Sequence, residues 1–251
     1  MAAVMIEGTR NWSGNVAWQP VEVVRPADVD DLRHALARAR AAGRSVRPAG
    51  SRHSFTPLCA TDGVSLDLGA FSGIRSVDGD VVTIGAGTPL HELNLLLDGI
   101  GRAVANLGDI DRQTLAGAIS TGTHGTGATF GGLAAQVEAF TLVTATGDQV
   151  RCSADSEPDL FHAALVGLGA FGVVTEIALR TVPAFGLHQT VAPDSYEQVM
   201  QDLPARLEAH HFEFFWFPLS DVAQSKSSRR MDPGESTAPL SPARHYVEDV
   251  L

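Results

Sequence analysis

The sequence predicts an α+β fold, and three features support that prediction. Residues 28–42 carry apolar side chains at helical spacing and are followed by a short apolar segment, residues 45–48, typical of a strand. Pairs of β-branched segments flank the turn sequences Asp78-Gly79 and Thr146-Gly147-Asp148, which indicates antiparallel hairpins. Near Pro183 the pattern changes and a second group of elements begins. We therefore expect helices and strands in two successive groups.

The ends of two helices can be read from capping residues. Asp28 is a suitable N-cap for the first helix, and Gly43 lies where a left-handed residue ends it. Thr88 is the expected cap of a second helix that begins at Pro89 and runs through Leu97. The other elements expected in this part of the chain are strands at residues 64–68, 74–77, 81–85, 140–145, 149–152 and 173–181, and a helix at residues 158–168.

The change near Pro183 predicts two domains. Residues 1–183 would form one complete domain, and residues 184–251 the start of a second domain that is cut short. The expected features of the second domain are a strand and helix at residues 188–199, an aromatic core strand at 212–217, a polar loop or linker at 225–244, and an apolar element at 246–251.

Composition argues against several classes of function. The formal charge of −11 disfavours nucleic acid as a partner, because phosphate backbones are bound by clustered Lys and Arg. Cys59 and Cys152 are far apart and outside any CxxC pattern, so neither a structural zinc site nor a disulfide framework is expected. We expect no metal at His210-His211 either, because adjacent strand residues point to opposite sides. No secretory signal or transmembrane segment is recognisable, so the prediction is a cytoplasmic protein.

The first segment that indicates chemistry is Arg47-Pro48-Ala49-Gly50-Ser51-Arg52-His53-Ser54-Phe55. It follows the strand at residues 45–48 as a sharp turn and a polar loop. Small residues around Gly50 allow consecutive backbone N–H groups to converge on an anion such as a pyrophosphate. Taken alone, the segment leaves open that His53 is a histidine hydrogen-bonded at a loop surface.

The second segment runs from Asn106 to Gly127 and is rich in glycine and threonine. It is neither a Walker loop nor a Rossmann GxGxxG element. Residues 114–123 are nearly all small, which predicts a helix start that presses its backbone against a large ligand and favours a phosphate. Tight helix-on-strand packing is the alternative, although hydroxyl groups are unfavourable in a core without partners.

Together the two segments resemble the PCMH-type, or vanillyl-alcohol-oxidase-type, FAD flavoproteins. Within that family the resemblance is to the aldonolactone oxidoreductases: gulonolactone oxidase, arabinono-1,4-lactone oxidase and the related alditol oxidases. The resemblance covers roughly residues 10–183 and includes three further motifs, Asn11-Trp12-Ser13-Gly14-Asn15, Arg25-Pro26 and Gly169-Ala170-Phe171-Gly172-Val173-Val174-Thr175.

The resemblance implies an FAD domain with a small parallel sheet near the N-terminus, a larger antiparallel sheet and helices packed outside. It also implies an FAD site made from both segments. His53 would be bonded through a ring nitrogen to the flavin 8α-methyl group, and Val174 would meet the adenine. Gly108 would lie at the reactive face of the flavin, where its missing side chain leaves room for oxygen. Asp109 would need a donor beside it, for which Arg112 is the candidate. The residues implied around the pyrophosphate and ribityl chain are Ala49, Gly50, Ser51, Arg52 and Ser54; those implied on the other side are Asp109, Thr114, Gly117, Thr121, Gly122, Thr123 and His124.

The resemblance also implies an activity. A hydroxyl carbon of an aldono-1,4-lactone would pass hydride to flavin N5, and oxygen or another acceptor would reoxidise the flavin. The catalytic residues that touch the sugar would lie in a missing C-terminal part. Alternatives are an alditol oxidase, a truncated FAD-binding protein without turnover, and a phosphate- or nucleotide-binding module without flavin. The sequence leaves the oligomeric state open.

Overall fold

The computed structural model describes residues 9–231 and Glu235, and it divides into two compact units. The first unit contains residues 1–125 and 130–184, and the second contains residues 126–129 and 185–251. The element expected at residues 246–251 lies outside the described residues. Among the helices that the structure describes, none combines the length and apolar character needed to cross a bilayer.

The first unit contains the following elements. Its strands, in chain order, are β1 Thr9–Arg10, β2 Ala17–Trp18, β3 Glu22–Val24, β4 Val46–Pro48, β5 Val64–Leu66, β6 Ile74–Asp78, β7 Val81–Gly85, β8 Arg102–Ala103, β9 Val137–Val143, β10 Gln149–Ser153, β11 Val173–Arg180 and β12 Val182–Pro183. Its helices are α1 Val29–Ala41, α2 Leu90–Asp98, α3 Leu115–Ser120 and α4 Pro158–Leu165, with a 3₁₀ turn at Leu133–Gln136.

A small parallel sheet opens the first unit, as the sequence predicts. Its strand order is β3-β5-β4, and α1 connects β3 to β4. Helix α1 starts where Asp28 accepts the backbone N–H of Asp31 at 2.9 Å, and the chain leaves it through Gly43 at φ +63°. The apolar face of α1 packs on β5 in a core that also contains Phe71. Both capping residues expected from the sequence are confirmed.

A larger antiparallel sheet has the order β10-β9-β11-β7-β6. The two expected hairpins are confirmed as β6–β7 and β9–β10. Helices α2, α3 and α4 pack against this sheet around a core that includes Ile84, Leu93, Leu115 and Phe140. Residues 74–85 and 137–180 thus contain the strands of this sheet and the loops between them.

The expected cap of α2 is wrong. Helix α2 begins at Leu90 with Pro89 in the N-cap position, and Pro89 makes no side-chain capping bond. Thr88 is fully buried, and its hydroxyl donates to the Gly85 carbonyl at 2.6 Å and accepts from the N–H of Gly73 at 3.0 Å. The Thr88 side chain therefore closes the turn after β7 instead of capping the helix. Helix α4 also ends at Leu165, earlier than expected, and Leu168 beyond it has φ +53°.

The second unit contains β13 Leu187–Ser195, α5 Tyr196–Arg206, β14 His211–Trp216 and β15 Val222–Arg230. The strands form an antiparallel sheet of order β13-β15-β14. Val199 of α5 packs on Phe212 and Ala223 to form a small core. His210 precedes β14, so strand alternation does not apply to it, and the His210 and His211 rings contact each other with centroids 4.5 Å apart. The expectation that these two side chains point to opposite sides is wrong.

The polar loop expected at residues 225–244 is also wrong over its first part. Residues 222–230 form β15, the central strand of this sheet. Ser225 and Ser228 are buried although they are polar, because they lie between two flanking strands. Backbone pairing on both sides therefore determines this strand, and an apolar pattern does not mark it. Most of the rest of the expected loop lies outside the described residues.

Candidate functional site

A cleft of about 660 Å³ opens in the first unit. It is bordered by the loops that follow β4, β5 and β7, by α3, and by the chain that enters β11. Two of these strands, β4 and β5, are parallel neighbours, so the cleft lies beyond their carboxyl ends, a common place for ligands in such sheets. The lining residues belong to residues 47–59, 67–69, 86–89, 113–121 and 168–174.

The loop after β4 presents unpaired backbone donors to this cleft. Ala49 still donates its N–H to the Leu66 carbonyl at 2.8 Å, which ties the loop to β5. The N–H groups of the next four residues, 50–53, have no acceptor within hydrogen-bonding distance among the described residues. Arg52 is left-handed, with φ +61°, a conformation that costs a non-glycine residue about 1–2 kcal/mol. Such a turn with consecutive free N–H groups suits an anion.

Gly50 brings this loop against the start of α3. A Cβ atom at Gly50 would overlap Thr114 Oγ1, so only glycine allows the approach. Thr114 is the N-cap of α3, and its hydroxyl accepts the N–H of Gly117 at 3.3 Å. The two segments singled out in the sequence therefore meet at this contact.

The amide groups at the start of α3 are already bonded. Leu115 N–H donates to the Thr88 carbonyl at 2.8 Å, and Ala116 N–H donates to the Ala86 carbonyl at 3.0 Å. With Gly117 bonded to Thr114, the first turn of α3 has these donors satisfied inside the protein. These amide groups are therefore not available as donors to a phosphate. Small residues of helix α3 line the cleft, and the unpaired backbone N–H donors come from residues 50–53.

His53 lies on the cleft wall beside Trp12. The two rings are stacked, with centroids 5.2 Å apart and planes 22° from parallel. Burial, and to a lesser extent the positive charge of Arg112, lowers the pKa of His53 below its ordinary value. Arg112 also forms an ion pair with Asp111 at 3.5 Å. The environment thus favours a neutral imidazole, which is the form that can act as a nucleophile.

Comparison with known proteins identifies the family of this unit. A family described as "FAD binding domain" matches residues 20–153, which is more than half of the chain. The chain belongs to this family of FAD-binding domains. A second family, described as "D-arabinono-1,4-lactone oxidase", matches residues 177–250. The two matches follow one another along the chain.

Relatives of this FAD-binding chain include several lactone oxidoreductases. L-gulono-1,4-lactone dehydrogenase from Mycobacterium tuberculosis is 37% identical over 91% of this chain and 54% of the relative. L-gulonolactone oxidase from Bos taurus is 37% identical, covering 84% and 49%. D-arabinono-1,4-lactone oxidase from Yarrowia lipolytica is 34% identical, covering 84% and 42%. The chain thus spans about half the length of the curated relatives it matches.

The fold of this FAD-binding chain is also found in a solved structure. Cholesterol oxidase from B. sterolicum superposes with a TM-score of 0.79 over 97% of this chain and 54% of the other. At 19% identity the similarity shows the fold alone. The expected PCMH-type α+β architecture is therefore confirmed.

The cleft fits FAD. Its volume lies within the range of about 300–1,000 Å³ that is usual for ligand and cofactor sites. The free N–H groups of residues 50–53 provide the donors that a pyrophosphate needs, and Arg47 and Arg52 add positive charge to the same wall. The small residues of α3 leave room for a flat ring system. When bound, FAD supplies the hydride chemistry, and the protein supplies binding and orientation.

The structure brings ten of the residues implied by the resemblance to this cleft. They are Ala49, Gly50, Ser51, Arg52, His53, Ser54, Thr114, Gly117, Thr121 and Val174. Val174 lies where β11 extends past its pairing with β7 and remains paired with β9. These ten residues come from three separate parts of the chain, and only the fold places them together.

Five other implied residues do not line the cleft: Gly108, Asp109, Gly122, Thr123 and His124. Gly108 packs on His124, whose carbonyl oxygen would lie 3.0 Å from a Cβ at Gly108. A side chain at Gly108 would therefore be in tight contact with the backbone of His124. Thr123 is connected to the cleft indirectly, since its hydroxyl donates to Oε1 of Gln113 at 3.2 Å and Gln113 lines the wall.

Several lining residues were not expected from the sequence. Leu68 and Gly69 follow β5, Gly87 follows β7, and Leu168, Gly169 and Gly172 precede β11. Their common signal in the sequence is a glycine within a few residues of the end of a strand. Gly172 at φ +147° is one such position, because a Cβ there would lie 2.6 Å from the Val143 carbonyl oxygen.

Proposed function

We propose that this chain provides the FAD-binding part of an oxidoreductase that oxidises a hydroxyl carbon of an aldono-1,4-lactone. The observation that carries the proposal is the match of residues 177–250 to the D-arabinono-1,4-lactone oxidase family, which follows the FAD-binding match of residues 20–153 in the same chain. The relatives named as gulonolactone and arabinonolactone enzymes support the same substrate class. Hydride would pass from the sugar carbon to flavin N5, and oxygen or another acceptor would take the electrons.

His53 is the residue that we assign to covalent attachment of the flavin. Its ring lies on the cleft wall, and its environment favours the neutral form. The loop of Ala49, Gly50, Ser51, Arg52 and Ser54 would enclose the pyrophosphate and ribityl chain, because its free N–H groups face no other acceptor among the described residues.

The opposite wall would meet the rest of the cofactor. Thr114, Gly117 and Thr121 would contact the flavin, and Val174 the adenine. Asp109 and Gly122 lie in the same segment as Gly108, Thr123 and His124, and we assign this group to support of the wall behind Gln113. No residue of this chain is assigned as the base that activates the sugar hydroxyl.

We also propose a domain organisation for the chain and a location in the cell. Residues 1–183 would be the FAD-binding domain and residues 184–251 the start of the substrate domain, which the division into two units at Ala184 supports. The protein would act in the cytoplasm, in keeping with its acidic composition and two unpaired cysteines.

The substrate class is tested by anaerobic reduction of the bound flavin. The FAD-loaded chain is mixed with L-gulono-1,4-lactone, D-arabinono-1,4-lactone or an alditol, and loss of the oxidised flavin absorbance is recorded. Reduction by a lactone and not by the alditol is the expected result. Reduction by the alditol alone would show that the substrate is a polyol, and a flavin that only a chemical reductant bleaches would contradict turnover by this chain.

A further inference from the structure

The segment Asn11-Trp12-Ser13-Gly14-Asn15 holds the loop that carries His53, and we call it the N-terminal clamp. The N–H of Trp12 donates to the Arg52 carbonyl at 3.0 Å, and the Asn11 amide donates to the Ser54 carbonyl at 2.9 Å. The Asn15 amide donates to the Phe55 carbonyl at 3.2 Å. These three bonds thus hold the backbone on both sides of His53, and each joins residues that are 40 to 43 positions apart in the sequence.

Asn11 is the rigid centre of the clamp. Its side chain is only 6% exposed, and it is bonded in both directions within the clamp. Its amide also donates to Asn15 Oδ1 at 2.7 Å, and its oxygen accepts the N–H of Val16 at 3.0 Å. A buried amide with these bonds has one favourable orientation, so the clamp has a defined shape.

Trp12 contributes the side-chain contact. Its ring stacks on His53, and Phe55 meets the same ring edge-on with centroids 5.6 Å apart. Trp12 nevertheless remains 53% exposed. The structure therefore places an indole on one face of the imidazole while the neighbouring loop lines the cleft.

We propose that Trp12 and Asn11 are positioning residues that hold the His53 imidazole in the orientation from which it bonds to the flavin. The inference rests on the proposed covalent attachment at His53. Attachment requires a near-attack geometry, and misplacement by about 1 Å can reduce such a rate about 100-fold. The loop needs this support because its N–H groups at residues 50–53 have no acceptor among the described residues and Arg52 is strained.

The attachment reaction defines what the clamp must provide. With FAD bound, the imidazole nitrogen would form one bond to the 8α-carbon, and one N–H bond of the imidazole and one C–H bond of the 8α-methyl group would break. Dioxygen would accept the two electrons and two protons released and would leave as hydrogen peroxide. The chain's contribution is a neutral, oriented imidazole; the charged groups beside it are Arg112, whose charge opposes protonation, and its sequence neighbour Arg52.

The test measures how fast flavin becomes acid-stable when FAD is added to flavin-free protein. Trp12→Ala is expected to slow attachment by about tenfold or more, while Trp12→Phe, which keeps an aromatic face, stays within about threefold of wild type. Asn11→Ala should slow attachment in the same direction. Trp216→Ala is the matched control, since Trp216 is a similarly exposed tryptophan of the second unit, and it should leave the rate unchanged.

Two further readouts separate positioning from general damage. Non-covalent FAD affinity, measured before attachment, should stay within about twofold in Trp12→Ala. The pKa of His53, followed by NMR in the flavin-free protein, should rise towards the ordinary 6.5 in Trp12→Ala and less in Trp12→Phe, because burial is the larger cause of its lowering. Equal attachment rates in wild type and Trp12→Ala would overturn this inference alone. Flavin released by acid from the wild type would overturn it together with the covalent role of His53.

Discussion

At the scale of single residues, the main features of the cleft wall are His53 and the loop that carries it. The imidazole is kept neutral by burial and by Arg112, and its ring is stacked on Trp12. Arg52 stays left-handed beside it because bonds to the N-terminal clamp hold the loop. A nucleophilic side chain on a supported, strained loop is a common arrangement at functional sites.

The lowered pKa of His53 predicts a pH dependence of stability. Above 6.5 the group is neutral in both states; below 6.5 the unfolded chain binds the proton first, so the free energy of unfolding falls until the lowered folded pKa is passed. His53→Gln removes this effect. Urea unfolding at about pH 7.5 and about pH 5.5 should show a smaller loss of stability in His53→Gln than in wild type. Identical losses would contradict the environment assigned to His53.

The close approach of Gly50 to Thr114 gives a second prediction at the scale of single residues. Gly50→Ala should lower the free energy of unfolding by about 1–3 kcal/mol, because the added methyl group overlaps Thr114 Oγ1. Gly69→Ala is the matched control on the same cleft, since a Cβ there meets Asp67 Oδ1 at an ordinary 3.4 Å. Denaturant titration of both variants measures the change in the free energy of unfolding. Equal midpoints would show that the two segments do not meet as closely as described.

At the scale of elements, α1 illustrates how a local signal determines a boundary. Asp28→Ala should destabilise the protein by about 1 kcal/mol, because the N–H of Asp31 loses its acceptor. Asp30→Ala removes the same charge from the first turn but only an exposed ion pair with Arg33, worth about 0.5 kcal/mol or less. Thermal unfolding of the two variants compares them, and an equal effect would mean that charge alone and not the cap matters.

The elements that sequence predicts well are those whose cause is local. Asp28, Gly43 and the turn at Asp78-Gly79 act through their immediate neighbours, and the structure confirms each of them. Strand β15 could not be predicted in this way, because buried Ser225 and Ser228 are determined by the strands on either side. The prediction that Thr88 caps a helix was wrong for a similar reason, because its hydroxyl accepts the N–H of Gly73, which is 15 residues away in the sequence.

The same distinction applies to the cleft. The loop of residues 49–54 was predicted because its motif is contiguous, whereas Leu68 and Gly87 reach the wall only through the order of the strands. The small residues at 114–123 predict a helix start that favours a phosphate, but the carbonyl groups of Ala86 and Thr88 already accept two of its N–H groups. The sequence does not reveal such long-range bonds.

At the scale of the whole molecule, the chain matches two families, one after the other along the sequence. The FAD-binding match lies in the first unit except for residues 126–129, and the lactone oxidase match begins at residue 177, near the end of that unit. Every residue that lines the cleft belongs to the first unit, as do the two larger hydrophobic cores. Cofactor binding is therefore assigned to the first unit.

The most direct test of this account asks whether the flavin is bonded to His53. The protein is loaded with FAD, precipitated with acid and washed, and the pellet is examined for flavin colour beside His53→Ala. The account predicts a yellow pellet for wild type and a colourless pellet for His53→Ala, with both proteins binding FAD before precipitation. Colour released from the wild type by acid, or retained by His53→Ala, would contradict the role assigned to His53.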